Sequence, residues 1–183
     1  MGTDIRHLGD LGTADFQVRK YPFYLLNRLV SRYNAIIEAR LRSIGLDIPF
    51  WRVLMILGER APRGVGELSE TAVINLSTMT RIVQRMTQTN LVRCTARDND
   101  YRITDVSLTA LGKRKLAAAR KITAPVFAAA ISGFSQREFR EAIQSLDRLH
   151  ANLARLLPNS REARPIRKQG RLGSKKSAAK PQE

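Results

Sequence analysis
The sequence predicts a mainly α-helical fold carrying one small β-hairpin, and three observations lead to it. Apolar residues recur at three- and four-residue steps over most of residues 21–157, the period falls to two between Val92 and Leu108, and Gly, Pro and polar clusters stand where one period gives way to the next. A chain of 183 residues has room for one compact domain with a core and tails more readily than for two.

Residues 1–16 contain Gly and Asp with little periodicity and read as a flexible arm. From Tyr21 onward Leu25, Leu29, Tyr33, Ile36, Ile37, Leu41 and Ile44 mark one face of a long amphipathic helix, which Gly45 ends. A shorter helix starts at Pro49, a residue suited to a first turn, and runs through Trp51, Leu54 and Leu57 to Gly58. Ala61, Pro62, Arg63 and Gly64 read as a turn. Residues 66–72 and about 76–89 then form two helices with a few residues between them, the spacing of a helix-turn-helix. In the second, Met79, Ile82, Val83 and Met86 share one face, while Ser77, Thr78, Arg81, Gln84, Arg85 and Gln88 take the others. That outer set is rich in hydrogen-bond donors and carries no acid.

Val92, Cys94 and Ala96 alternate with Arg93, Thr95 and Arg97, and after a polar turn at residues 98–101 a second alternating run passes through Thr104, Val106 and Leu108. This is the hairpin, with Cys94 expected on its apolar side. Thr109 suits the N-cap of a further helix that begins with Lys113, Arg114 and Lys115, continues through Leu116, Ile122, Val126 and Ile131, and should kink at Pro125. Ser135 with Glu138 makes a capping box for a last helix whose stripe is Phe139, Ile143, Leu146, Leu149, Leu153 and Leu156, and Pro158 stops it. Residues 158–183 hold eight basic residues, two acids and almost no large apolar side chain, so they cannot fold alone.

Lys and Arg number 32 against 16 for Asp and Glu, a formal charge of +16, and such a surface seeks polyanions. A membrane partner is not expected, because no run of 18 apolar residues exists, and a secretory signal is not expected, because residues 1–20 carry Asp4, Asp10 and Asp15 and lack a basic start followed by an apolar stretch. A single cysteine fits a reducing compartment, and the cytoplasm is the expected location. His7 and His150 lie far apart without clustered ligands, so no metal or cofactor is expected. The chain has no Gly-rich phosphate loop, nucleophile triad or paired-carboxylate motif, which argues against an enzyme and leaves no catalytic residue to name.

Reading the major groove takes a helix with short hydroxyls or amides near its N-terminus and guanidinium groups that fork onto guanine or phosphate. Ser77, Thr78, Thr80, Arg81, Gln84 and Arg85 supply this set, and the hairpin beyond them is placed to bring Arg97 and Arg102 to the minor groove or backbone. Helix and hairpin together predict a winged helix-turn-helix bound to double-stranded DNA.

At these residues the chain resembles the multiple-antibiotic-resistance regulators, the MarR family. Asp100, Arg102, Val106, Leu108, Thr109 and Gly112 match the spacing of that family's wing, and residues 77–86 followed by Leu91, Val92 and Arg93 look like its recognition helix and entry into the wing. The resemblance implies a domain over residues 17–157, with the winged helix at about 47–112. Dimerisation helices are implied at about 17–45 and 110–157, where the first and last two helices of a homodimer interlock. It also implies that Asp100 and Arg102 pair with each other or reach DNA. Tyr101 stands where the family commonly has another Arg, a change that leaves Asn99 as an alternative contact. A crevice for a small effector, an aromatic acid or acyl thioester, is implied at Tyr33, Arg40, Trp51 and Met55.

The function expected is that of a ligand-released repressor acting as a homodimer on a pseudo-palindromic operator. The alternative is an architectural protein that coats DNA without sequence choice. The basic tail fits a sequence-independent tether or a solubilising segment.

Overall fold
The structure is a computed structural model that describes residues 4–97 and 100–156, residues 100–102 by their backbone alone. It divides into two units, residues 1–132 and 133–183. The first holds α1 (Pro22–Arg42), α2 (Ile48–Glu59), β1 (Arg63–Gly64), α3 (Val65–Ala72), α4 (Leu76–Gln88), β2 (Val92–Arg97), β3 (Asp100–Leu108) and α5 (Ala110–Ala130). Two 3-10 turns precede α1, Arg6–Gly9 within the residues 1–16 expected as an arm and Val18–Lys20 just after them, and the Gln17 N–H donates to the Leu8 carbonyl between the two.

Each junction has a local cause. Gly45 takes a left-handed φ of 68° just past α1, and Lys115 Nζ donates to the Ile44 carbonyl at 2.6 Å, tying that corner to α5. The Asp47 carboxylate accepts from the Phe50 N–H at 2.8 Å and caps α2, with Pro49 inside its first turn. Pro125 lies within α5, which runs on to Ala130.

The core is built around α2, whose Phe50, Trp51, Val53, Leu54 and Leu57 are buried. Ile37 and Leu41 of α1, Leu68 of α3, Met79 and Met86 of α4, Val106 of β3 and Leu116 of α5 belong to the same cluster. Burying side chains of this size stabilises by about 1.5–3 kcal/mol each. This ties the helix-turn-helix to the long helices on either side of it.

The sheet is antiparallel in the order β1-β3-β2. Arg63 and Gly64, expected as part of a turn, instead pair with Val106 and Asp105 of β3 and add a third strand to the hairpin. Two residues have no period to read, so the pattern could not disclose this strand. Arg63 is buried there, its guanidinium bonded to Glu59 at 3.0 Å and to the Arg60 carbonyl at 3.0 Å, with Glu67 at 3.5 Å. A buried guanidinium is tolerable only when paired in this way.

Cys94 also departs from expectation, because its thiol is exposed. Val92 reaches the core, but the strand then runs out from it, and Cys94 opens onto a concavity of about 550 Å³ beside Gln84, Thr87 and Gln88 of α4. Its Sγ lies 3.6 Å from Thr87 Oγ1.

The passage from β3 to α5 explains the end of the wing string. Thr109 Oγ1 accepts from the Gly112 N–H at 3.0 Å and donates to the Asn90 carbonyl at 2.6 Å, so one hydroxyl caps α5 and fastens it to the chain leaving α4. Gly112 lies so close to that chain that a Cβ would sit 2.0 Å from the Leu91 carbonyl oxygen.

The second unit holds α6 (Gln136–Ala154), closed at its start by the expected capping box between Ser135 and Glu138. The Glu138 carboxyl is held below its usual range by the Ser135 hydroxyl and N–H. No residue of α6 is buried, and Ile143, Leu146, Leu153 and Leu156 of its apolar stripe are exposed. The basic segment at 158–183 lies outside the described residues.

Replacing Gly112 with Ala should destabilise the chain by about 1–3 kcal/mol, because a backbone carbonyl must shift to admit the methyl. Urea denaturation of the variant beside the parent measures this, and equal midpoints would show that the contact has slack.

Candidate nucleic-acid interface
The helix-turn-helix is α3 and α4. Val73 ends α3 in the left-handed region at φ 55°, unusual for a β-branched residue, and it is 89% exposed. Asn75 caps α4, its side-chain oxygen accepting from the Thr78 N–H at 2.9 Å and from Ser77 Oγ at 3.0 Å. Sequence reading did not single out Asn75, although Asn just before an apolar-periodic run is a cap signal.

All six residues expected to read DNA on α4 are exposed: Ser77, Thr78, Thr80, Arg81, Gln84 and Arg85. Thr80 Oγ1 donates to the Leu76 carbonyl at 2.8 Å, so its hydroxyl proton is spent on the helix and its lone pairs face out. Arg81 makes no hydrogen bond or ion pair with the described residues. The Arg85 guanidinium lies over the ring of Phe50, 5.0 Å from its centroid. The opposite face holds Met79, Ile82, Val83 and Met86, all buried.

On the hairpin, Arg97 is engaged. Its guanidinium bonds the Asp105 carboxylate across the strands at 2.6 Å, and that bond holds the Asp105 carboxyl below its usual range. Its side chain is 39% exposed. Asn99 and the side chains of Asp100 and Arg102, the other wing residues named from sequence, lie outside the described residues.

The four crevice residues do not all meet. Tyr33, Trp51 and Met55 line one concavity of about 380 Å³ together with Arg52, Ile56, Thr71 and Ala72. Arg40 instead lines a neighbouring one of about 460 Å³ between α1 and α5, which shares Tyr33. The cation beside Trp51 is therefore Arg52, which sequence reading passed over because an Arg next to a Trp on a helix resembles any solvated position. The Tyr33 and Trp51 rings lie 6.4 Å apart. Burial pushes the Tyr33 phenol above its ordinary range, and the positive charge of Arg52 pulls the other way. Trp51 Nε1 is buried without a hydrogen-bond partner among the described residues.

Among the described residues no group of three or more His, Cys, Asp or Glu side chains is placed to hold a metal, and no helix is long and apolar enough to cross a membrane.

Residues 46–104 of this chain match the MarR family. The HTH-type transcriptional repressor IacR of Pseudomonas putida is 33% identical over 147 residues, spanning 80% of this chain and 88% of that protein. A MarR-family transcriptional regulator of Silicibacter pomeroyi superposes with a TM-score of 0.69 at 26% identity, over 76% of this chain and 94% of that one. The PcaV transcriptional regulator of Streptomyces coelicolor, solved with its natural ligand, shares the fold with a TM-score of 0.65 at 20% identity, over 78% and 99%.

The strained turn gives a prediction. Val73→Gly should raise stability by about 1 kcal/mol, because relief of the left-handed β-branched residue outweighs the added backbone freedom. In thermal unfolding this appears as a gain of about 2–4 °C. A fall in the midpoint would mean that Val73 is held by contacts rather than strained.

Proposed function
The chain belongs to the MarR family and is a winged helix-turn-helix transcriptional regulator; from that premise we propose that it is a homodimeric repressor released from a pseudo-palindromic operator by a small organic anion. The observation that carries this reading is the outer face of α4, where hydroxyl, amide and guanidinium groups stand exposed with no acid among them. Groups of this kind at the N-terminal turns of a groove-sized helix suit base edges, and guanidinium groups further along suit phosphates. Ser77, Thr78, Thr80, Arg81, Gln84 and Arg85 are the reading set, and Arg97, Asn99, Asp100 and Arg102 serve the wing. No catalytic step is assigned.

Support for the homodimer comes from apolar surface that the single chain leaves open. On α1, Leu25, Leu29, Val30 and Ile36 are exposed and only Ile37 and Leu41 are buried, and α6 carries its own uncovered stripe. Exposed apolar surface at helical spacing suits association. Two-fold symmetry then calls for half-sites about ten base pairs apart or a multiple of that.

Support for the effector comes from the concavity at Trp51. It joins two aromatic rings and a cation, a set suited to an aromatic body bearing a carboxylate or thioester carbonyl. That PcaV was solved with a natural ligand and that IacR is a repressor agree with such a mechanism.

A mobility shift on DNA upstream of the protein's own gene tests the whole reading, first against excess random duplex and then with aromatic carboxylates, phenols and acyl thioesters. The complex should survive the competitor and dissociate with one class of compound. Displacement by random duplex would favour the coating protein instead, and a complex that no compound releases would remove the effector. Arg81→Ala should cost about 1–3 kcal/mol of operator affinity; an unchanged dissociation constant would take Arg81 off the interface. Arg52→Gln should leave effector-free operator binding intact and raise the releasing concentration by roughly tenfold or more. Release at the parental concentration would place the anion elsewhere.

A further inference from the structure
The two arginines on the outer face of α4 are held differently. Arg81 has no partner among the described residues, whereas the Arg85 guanidinium lies 5.0 Å from the centroid of the Phe50 ring. Phe50 is a fixed platform. It is 8% exposed within the core, and its backbone N–H is held at 2.8 Å by the Asp47 cap of α2. A cation over a buried ring face is attracted by the ring quadrupole, and a side chain held there has fewer rotamers to lose when it meets a ligand.

The position of Arg85 says what that ligand is. It stands in the last turn of α4, beyond the N-terminal turns from which a groove-entering helix addresses base edges. Guanidinium groups at that distance meet the phosphate backbone. The geometry points to Phe50 as a positioning residue for DNA binding, its ring holding Arg85 in the orientation that engages one backbone phosphate of the operator. This rests on the reading of α4 as the DNA-facing helix and adds a role for a core residue that does not itself touch DNA.

Two properties separate this role from a merely structural one. The effect of losing the ring must vanish when Arg85 is absent, and it must change the salt dependence of binding, since a lost phosphate contact releases one fewer counterion. A variant that simply misfolds lowers the active fraction and leaves the salt slope alone.

The test uses the full chain and the operator duplex, with fluorescence anisotropy from low to moderate salt. Arg85→Ala should weaken binding and reduce the slope of log K against log salt by about 0.9. Phe50→Leu and Phe50→Met, which keep bulk without a ring, should weaken binding by roughly two- to fivefold and move the slope toward the Arg85→Ala value. Phe50→Tyr, which keeps the ring face, should behave as the parent. In the Arg85→Ala background neither ring-less change should weaken binding further. Equal losses in both backgrounds, or an unchanged slope in both ring-less variants, would overturn the proposal. An Arg85→Ala variant with parental affinity and slope would also overturn it while leaving the wider reading intact, because that reading stands or falls on operator selectivity.

Discussion
A helix can offer its outer face to another molecule only if its inner face holds it in place unaided. In α4 Met79, Ile82, Val83 and Met86 do this, each no more than 6% exposed. At about 1.5–3 kcal/mol for a buried side chain of this size, the inner face dominates the folding energetics of the helix, and the outer one is free to be chosen for chemistry. The unusual Val73 turn is tolerable because the helices on either side of it, α3 and α4, are each fixed by buried contacts, and the Asn75 cap closes the start of α4.

The hairpin is held by other means. Its inner apolar contribution is small, chiefly Val92 and Val106, so polar contacts fix its position. Arg63 joins β1 to acids on α2 and α3, Arg97 joins β2 to Asp105 on β3, and the Thr109 hydroxyl fastens the start of α5 to the chain leaving α4. The wing is thus referenced to the same helices that fix the reading helix.

Periodicity disclosed the long elements because burial imposes it. The inner stripe of α4, the two-residue period of the hairpin and the capping box at Ser135 are each a direct imprint of packing or capping on residue type. What stayed hidden depends on partners distant in sequence. Arg63 reads as a turn residue until β3 is placed beside it, Cys94 reads as inward until the strand is seen to outrun the core, and Arg52 differs from any exposed arginine only once Tyr33 is brought to its side. The pairing of Arg85 with Phe50 is of the same kind, since nothing in the local pattern joins positions so far apart.

In the homodimer proposed above, the apolar surface left open on α1 and the uncovered stripe of α6 would be covered, and two reading heads would be offered to one duplex. The claim at the centre of this account is that those heads select sequence. It is tested most directly by repeated selection of duplexes from a random pool on the full-length protein, followed by sequencing of the retained DNA. The account predicts enrichment of one motif with two inverted halves about ten base pairs apart or a multiple of that. A pool that is retained efficiently yet stays random in sequence would contradict it.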